Sequence, residues 1–207
     1  GFASGWRRFL ETGDGSPLSL HFLLAALCAL MFIPVSAAGI GPSGSLAPVS
    51  LSLFIGAFMF GTGMQLANGC GSGVLFSFGG GSGRMLVALP FFAIGSVLGS
   101  IILPPVLALG SLGQVEIGAG LSGFGKLAVN LALLLSAAAL FGWLGARRGF
   151  FLSRKMLLAT AMIALLCWGV FWVSQHPWGV TFGFTLWGAK IASAIGVPIE
   201  DFTFWTW

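Results

Sequence analysis

Residues 56–84 read GAFMFGTGMQLANGCGSGVLFSFGGGSGR, an apolar segment broken by two clusters of glycine. Over a third of residues 56–83 are glycine, against about 7% in ordinary proteins. Each glycine costs about 1 kcal/mol relative to alanine inside a helix, so one uninterrupted stable helix is not expected here. The segment predicts a helix down to about Ala67, an irregular turn at NGCGSG, a short apolar piece and a second turn at GGGSGR.

The composition of the whole chain is that of a membrane protein. Of its 207 residues, 57% are hydrophobic and 7% are charged, whereas soluble domains are about a quarter charged. The mean hydropathy is +1.02. Nine basic and five acidic residues are too few to indicate nucleic-acid binding, and we expect none.

Several apolar runs reach the roughly 20 residues that are needed to cross a hydrocarbon core of about 30 Å. Five candidate spans are Leu18–Ile40, Ala47–Ala67, Met85–Leu109, Gly125–Ala146 and Met156–Val173. A sixth run, Thr181–Ile195, is shorter and suits a surface helix or a re-entrant segment. The expected fold is an all-α polytopic membrane protein with about five transmembrane helices and short re-entrant glycine-rich helical loops.

Basic residues set the expected orientation, because lysine and arginine accumulate on cytoplasmic loops. Arg7 and Arg8 precede the first span and place the N-terminal end inside. Four crossings lead back inside to a second basic group, which consists of Arg147, Arg148, Arg154 and Lys155. The same path places Arg84 inside and the loop at 113–118, with Glu116, outside.

The glycine-rich segment 56–84 is the predicted site. Non-helical backbone at membrane depth persists only where protein or a polar cavity satisfies its hydrogen-bonding groups. Gly69, Gly71 and Gly73 leave their amides unshielded, and successive amides can form a nest for anionic oxygens. The turn at 68–73 is therefore expected to line something polar.

Three side chains add chemistry to this nest. Cys70 brings a polarisable thiol, Ser72 a hydroxyl and Asn68 an amide, a combination that suits an oxyanion carrying sulfur. Arg84 either extends its side chain to the membrane interface or attracts anions that enter from inside. The competing interpretation of Cys70 is a small buried packing residue.

Other kinds of site find no support in the motifs. Cys28 and Cys167 lie inside ordinary apolar spans and are interpreted as packing residues. The three cysteines form no CxxC pair and no cysteine-histidine cluster, so we expect neither a disulfide scaffold nor a metal site. The sequence GGGSGRM lacks the Lys-Ser/Thr ending of a phosphate-binding P-loop. We expect no cofactor.

Residues 56–100, GAFMFGTGMQLANGCGSGVLFSFGGGSGRMLVALPFFAIGSVLGS, resemble the core of the YeeE/YedE family. This is the sulfur transport domain of bacterial membrane proteins, whose characterised members take up thiosulfate. The resemblance lies in the glycine-flanked cysteine followed by Ser-Gly, then GGGS-x-R and an apolar helix. Weaker similarity extends to Gly1–Gly15 and to GFTLWGAK, Gly183–Lys190.

The resemblance implies an inner-membrane protein of two related halves that meet as an hourglass. Family cysteines are held to pass thiosulfate along the axis through S–H hydrogen bonds, and Cys70 matches such a cysteine. Full-length members have further cysteines and a second glycine-cysteine loop. We therefore expect 1–207 to be one transmembrane domain that is incomplete at both ends, in preference to a shortened member completed by another chain.

The functional expectation is a transporter, not an enzyme, for thiosulfate or a related sulfur anion. The resemblance adds a TusA-like soluble sulfur carrier as a partner besides the lipid bilayer. Two alternatives stay open. One is a membrane thiol oxidoreductase that uses Cys70 with Cys28 or Cys167, although the spacing supplies no resolving thiol nearby. The other is a structural membrane subunit whose glycines pack helices.

Overall fold

A computed structural model describes residues 2–40, 48–107, 110, 113, 117, 120–174 and 179–205. These residues form α-helices and two short 3₁₀ turns, and no strand is found among them. In chain order the helices are α1 (Phe2–Thr12), α2 (Ser16–Ala37), α3 (Leu51–Leu66), α4 (Gly71–Gly79), α5 (Gly83–Leu107), α6 (Gly123–Ala146), α7 (Arg154–Ser174) and α8 (Val180–Ala194). The 3₁₀ turns are Ile199–Asp201 and Thr203–Trp205.

Five segments are long and apolar enough to cross a membrane. They are Ser16–Ala37, Leu51–Gly79, Gly83–Leu107, Gly123–Ala146 and Arg154–Ser174. Large apolar side chains along these segments are exposed, as expected of helices that face lipid. The predicted all-α polytopic membrane fold is confirmed. The predicted boundaries Ala47 and Leu109 and the acidic residue Glu116 lie outside the described residues.

The helices form two compact units, which are described separately. The first contains α1, α2, α6 and α7, and is called the α2–α6–α7 unit. The second contains α3, α4, α5, α8 and the 3₁₀ turns, and is called the α3–α5–α8 unit.

In the α2–α6–α7 unit, small residues let α2 and α6 approach closely. A Cβ atom built on Gly15 would overlap the carbonyl oxygen of Phe141, and one on Gly142 would lie 3.2 Å from the Ser19 hydroxyl oxygen. The Ser19 hydroxyl donates to the Ala138 carbonyl across the interface at 2.7 Å. Close backbone approach and interhelical hydrogen bonds are how helices associate in a lipid environment, where the hydrophobic effect does not drive them together.

The N-terminal helix α1, which the sequence did not predict, lies against this interface. Trp6 and Phe9 pack edge-on against Phe141 of α6, with ring centroids 5.7 and 5.2 Å away. Arg8 forms an ion pair of 2.7 Å with Asp14, whose side chain is buried. Asp14 also accepts a hydrogen bond from the Ser16 amide at 2.9 Å, so the carboxylate ties α1 to the start of α2.

Both basic groups of this unit lie at one end. The Arg148 guanidinium donates to the Thr12 carbonyl at 3.4 Å, and Arg8 lies over the Phe150 ring at 5.9 Å. The end of α6 therefore lies against the end of α1. The cytoplasmic location of this end stays a prediction.

In the α3–α5–α8 unit, α8 crosses α5 at a glycine. A Cβ atom built on Gly188 would lie 2.6 Å from Val97 Cγ2 and 2.8 Å from the Ala93 carbonyl oxygen. Val97 joins Ala189 and Ile199 in a buried cluster. The indole of Trp205 donates to the Ser100 hydroxyl at 3.3 Å, which secures the last 3₁₀ turn to α5.

Candidate functional site

The glycine-rich segment is interrupted at Asn68, where α3 ends. Asn68 has φ 55° and is the one non-glycine residue with positive φ in the described part of the chain. The backbone N–H of Asn68 donates to the Gln65 carbonyl at 3.3 Å, and the backbone N–H of Gly69 donates to the Met64 carbonyl at 3.0 Å. This pair of bonds is a Schellman motif, which asparagine tolerates because it adopts the left-handed region more readily than most residues.

Cys70 begins the next helix as its N-cap. Its backbone is extended, with φ −79° and ψ 174°, and its carbonyl accepts the Val74 amide at 2.8 Å as the first bond of α4. The amides of Gly71, Ser72 and Gly73 precede that bond and have no acceptor within the helix. They point beyond the N-terminus of α4, where the helix dipole is positive.

The Cys70 thiol lies at this helix terminus. Its sulfur is 3.3 Å from the Ser72 hydroxyl oxygen, and a Cβ atom built on Gly73 would lie 3.6 Å from the sulfur. Cys70 is half-buried, and Ser72 and Asn68 are exposed. The structure thus brings together six of the predicted site residues in one turn, which runs through positions 68–73.

Arg84, the seventh predicted site residue, lies elsewhere. It is the exposed second residue of α5, beyond the C-terminal end of α4. The nine residues of α4 separate it from Cys70 by about 14 Å at 1.5 Å per residue. Arg84 is therefore not part of the turn at 68–73.

Two residues of α8 that the sequence did not single out form a wall of the site. Gly71 is buried, and a Cβ atom on it would lie 3.4 Å from Phe184 Cε2 and 3.9 Å from the Thr181 hydroxyl oxygen. The Phe184 ring in turn lies 5.8 Å from that of Phe92 in α5. The signal that could have found this wall is the family similarity of Gly183–Lys190, which covers Phe184.

A cavity of about 430 Å³ lies near the turn and is lined by residues from α3, α5 and α8 and by Ala67. Ala67, which immediately precedes Asn68, is one of its lining residues. Ser96 and Thr181 supply hydroxyl groups to its otherwise apolar wall. Its lining residues are Met59, Phe60, Gly63, Met64, Ala67, Ala88, Phe91, Phe92, Gly95, Ser96 and Thr181.

The groups of this turn are of the kinds that can bind an anion and contact a sulfur atom. Amides at a helix N-terminus favour anionic oxygens, and a thiol beside a hydroxyl can donate to or accept from a bound group. A metal site has less support, because the described residues contain no group of three or more histidine, cysteine, aspartate or glutamate side chains that could hold an ion.

Comparisons with known proteins identify a family but no individual relative. A family model described as sulphur transport matches residues 1–207, the whole chain. No curated protein and no solved structure matches the chain.

Proposed function

The chain belongs to the sulphur transport family, and on that premise we propose that it takes up thiosulfate or a related sulfur-containing anion across the bacterial inner membrane. Its family and its five apolar crossing segments make it a multi-pass membrane protein with a role in sulfur transport. The family and the membrane-spanning helices point to a transporter and not to an enzyme. The turn at 68–73 is the proposed point of substrate contact.

The observation that carries this proposal is the contact between Cys70 and Ser72 at the N-terminus of α4. Anionic oxygens of the substrate accept hydrogen bonds from the amides of Gly71, Ser72 and Gly73. The Cys70 thiol donates its S–H to the substrate as it passes. The turn forms a narrow constriction in the path of the substrate. Gly69, Gly71 and Gly73 line this constriction with backbone, because they have no side chains that would close it.

The lengths of the helices support a location of this turn inside the membrane. The 16 residues of α3 span about 24 Å, less than the hydrocarbon core of about 30 Å. If α3 starts at one membrane surface, Asn68 and Cys70 lie within the hydrocarbon depth. The predicted re-entrant loop at 56–84 requires this depth. Backbone amides within the hydrocarbon region need a polar partner, because no water is present there, and a passing anion supplies one.

Outside the turn, the proposal assigns weaker roles. Arg84 is exposed at the start of α5 and adds positive potential near the cytoplasmic surface. A TusA-like sulfur carrier is the proposed soluble partner inside the cell. Arg154 and Lys155 are exposed at the start of α7, but positive-inside topology accounts for them equally well, and no contact residues are assigned to the carrier.

Growth of a sulfur-auxotrophic bacterium on thiosulfate tests the proposal. Cells that express the unaltered protein are expected to grow, and cells with Cys70→Ala are expected not to, at equal amounts of protein in the membrane. Cys167→Ala is the matched control, because it removes a half-buried thiol from α7. Equal growth with and without the Cys70 thiol would contradict its role in substrate contact.

A further inference from the structure

Cys28 and Cys167 lie on two helices that pack against each other in the α2–α6–α7 unit. Cys28 belongs to α2 and Cys167 to α7. Both are free thiols and both are half-buried. Cα atoms of these two helices approach within 8 Å of each other.

The two helices run in the same direction. Gly145, near the end of α6, lies against the start of α2, since a Cβ atom on it would be 3.1 Å from the Gly15 amide nitrogen. The next helix, α7, begins at Arg154, only a few residues after α6 ends. It therefore starts from the same end of the unit as α2.

Aromatic contacts of Phe32 in α2 with Trp168 and Phe171 in α7 set the approximate register of this parallel pair. The ring of Phe32 in α2 lies 4.7 Å from that of Phe171 in α7, in an edge-on arrangement. Cys28 precedes Phe32 by four residues, and Cys167 precedes Phe171 by four. A step of four residues moves about 6 Å along each helix and stays on the same face.

One helical turn before the contact of Phe32 with Phe171, Cys28 and Cys167 therefore occupy facing positions on α2 and α7. The sequence interpretation of both residues as separate packing residues leaves this proximity without a role.

We propose that Cys28 and Cys167 form a dithiol site that reacts with a small, lipid-soluble disulfide and closes to a disulfide bond across α2 and α7. The thiolate of one cysteine attacks the reagent, forms a mixed disulfide and releases one small thiol. The thiolate of the other attacks the mixed disulfide and releases the second small thiol. Two protein thiols are oxidised by two electrons, and the reagent is reduced to two thiols.

The experiment uses the full chain in membranes, with Cys70→Ser to remove the third thiol and 4,4′-dithiodipyridine as the reagent. The expected product, read by intact mass under non-reducing conditions, is a monomer that has lost two hydrogens and carries no pyridyl group. Cys28→Ser and Cys167→Ser, each added singly, are expected to retain one pyridyl adduct.

A matched control moves one thiol to another face of α7. Cys167→Ser combined with Leu166→Cys keeps two thiols, but Leu166 is 65% exposed on the helix surface. This variant is expected to carry two pyridyl adducts and no internal disulfide. Two adducts on the Cys28–Cys167 protein, a disulfide between two chains, or two unreacted thiols would each overturn the proposal.

Discussion

The sulfur of Cys70 lies 3.3 Å from the hydroxyl oxygen of Ser72 at the N-terminus of α4. Both groups therefore lie at the helix end whose first amides have no intrahelical acceptor. The proposed substrate would meet a thiol, a hydroxyl and backbone donors together at this terminus.

Ser72→Ala tests the contribution of the hydroxyl. The side chain is exposed, so the fold should be unaffected, and loss of one hydrogen bond of about 1 kcal/mol is expected to raise the KM for thiosulfate uptake about fivefold. Ser77→Ala makes the same change farther along α4, away from the turn, and should leave the KM unchanged. The same KM in the Ser72 variant and the unaltered protein would show that the hydroxyl does not contact substrate.

Gly188→Ala tests the crossing of α5 and α8. The added methyl would lie 2.6 Å from Val97 Cγ2 and 2.8 Å from the Ala93 carbonyl oxygen, and such overpacking costs about 1–3 kcal/mol. The expected result is a lower melting temperature in detergent. Gly95→Ala is the control, because no atom lies within 4 Å of its added Cβ. A Gly188 variant as stable as that control would contradict the close crossing.

Ser19→Ala tests the hydrogen bond between α2 and α6. The bond to the Ala138 carbonyl is buried, and such bonds in membrane proteins contribute about 0.6 kcal/mol on average. We expect a melting temperature lowered by about 2 °C. Ser136→Ala removes a hydroxyl that bonds within its own helix, to the Leu133 carbonyl, and should have a smaller effect. Equal shifts would argue against an interhelical contribution.

The orientation predicted from the basic residues is testable by labelling. In a protein with Cys28, Cys70 and Cys167 changed to serine, Glu11→Cys and Phe151→Cys place single thiols at exposed positions. A membrane-impermeant maleimide is expected to label both in inside-out vesicles and neither in right-side-out vesicles, because both positions lie at the basic end. Labelling from opposite sides would contradict the path of the chain.

The crossing helices were predictable from the sequence because their composition is decisive. Gly125–Ala146 was expected and Gly123–Ala146 is found; Met156–Val173 was expected and Arg154–Ser174 is found. Helix α1 is not predicted, because Phe2–Thr12 is short and mixes apolar residues with the charged residues Arg7, Arg8 and Glu11, so that it contains no long apolar run.

The pairing of helices could not be predicted in the same way. The apolar spans are hydrophobic on all sides, so their patterns do not show which face meets a neighbour. The bond from Ser19 to Ala138 joins residues 119 positions apart, and the ring contact between Phe32 and Phe171 joins α2 to α7. The sequence alone does not show which residues of two apolar helices lie opposite each other.

The local part of the candidate site was more accessible to sequence reasoning than its surroundings. Asn68 to Gly73 are consecutive, and the preference of asparagine and glycine for helix ends predicted their turn. The wall of Phe184 and Thr181 comes from α8, more than 100 residues later, and its position depends on the fit of Gly188 against α5. The separation of Arg84 from Cys70 follows from α4, whose nine residues form a continuous helix.

The initial rate of radiolabelled thiosulfate uptake by the Cys70→Ala and Cys70→Ser variants tests the central claim most directly. With equal amounts of protein in the membrane, we predict that the uptake rate of both variants is at least tenfold lower than that of the unaltered protein. Alanine has no hydrogen-bond donor, and the serine hydroxyl lacks the polarisable sulfur. The Cys167→Ala control should keep its rate. Uptake by both Cys70 variants at the rate of the unaltered protein would contradict the claim that the Cys70 thiol contacts the transported anion.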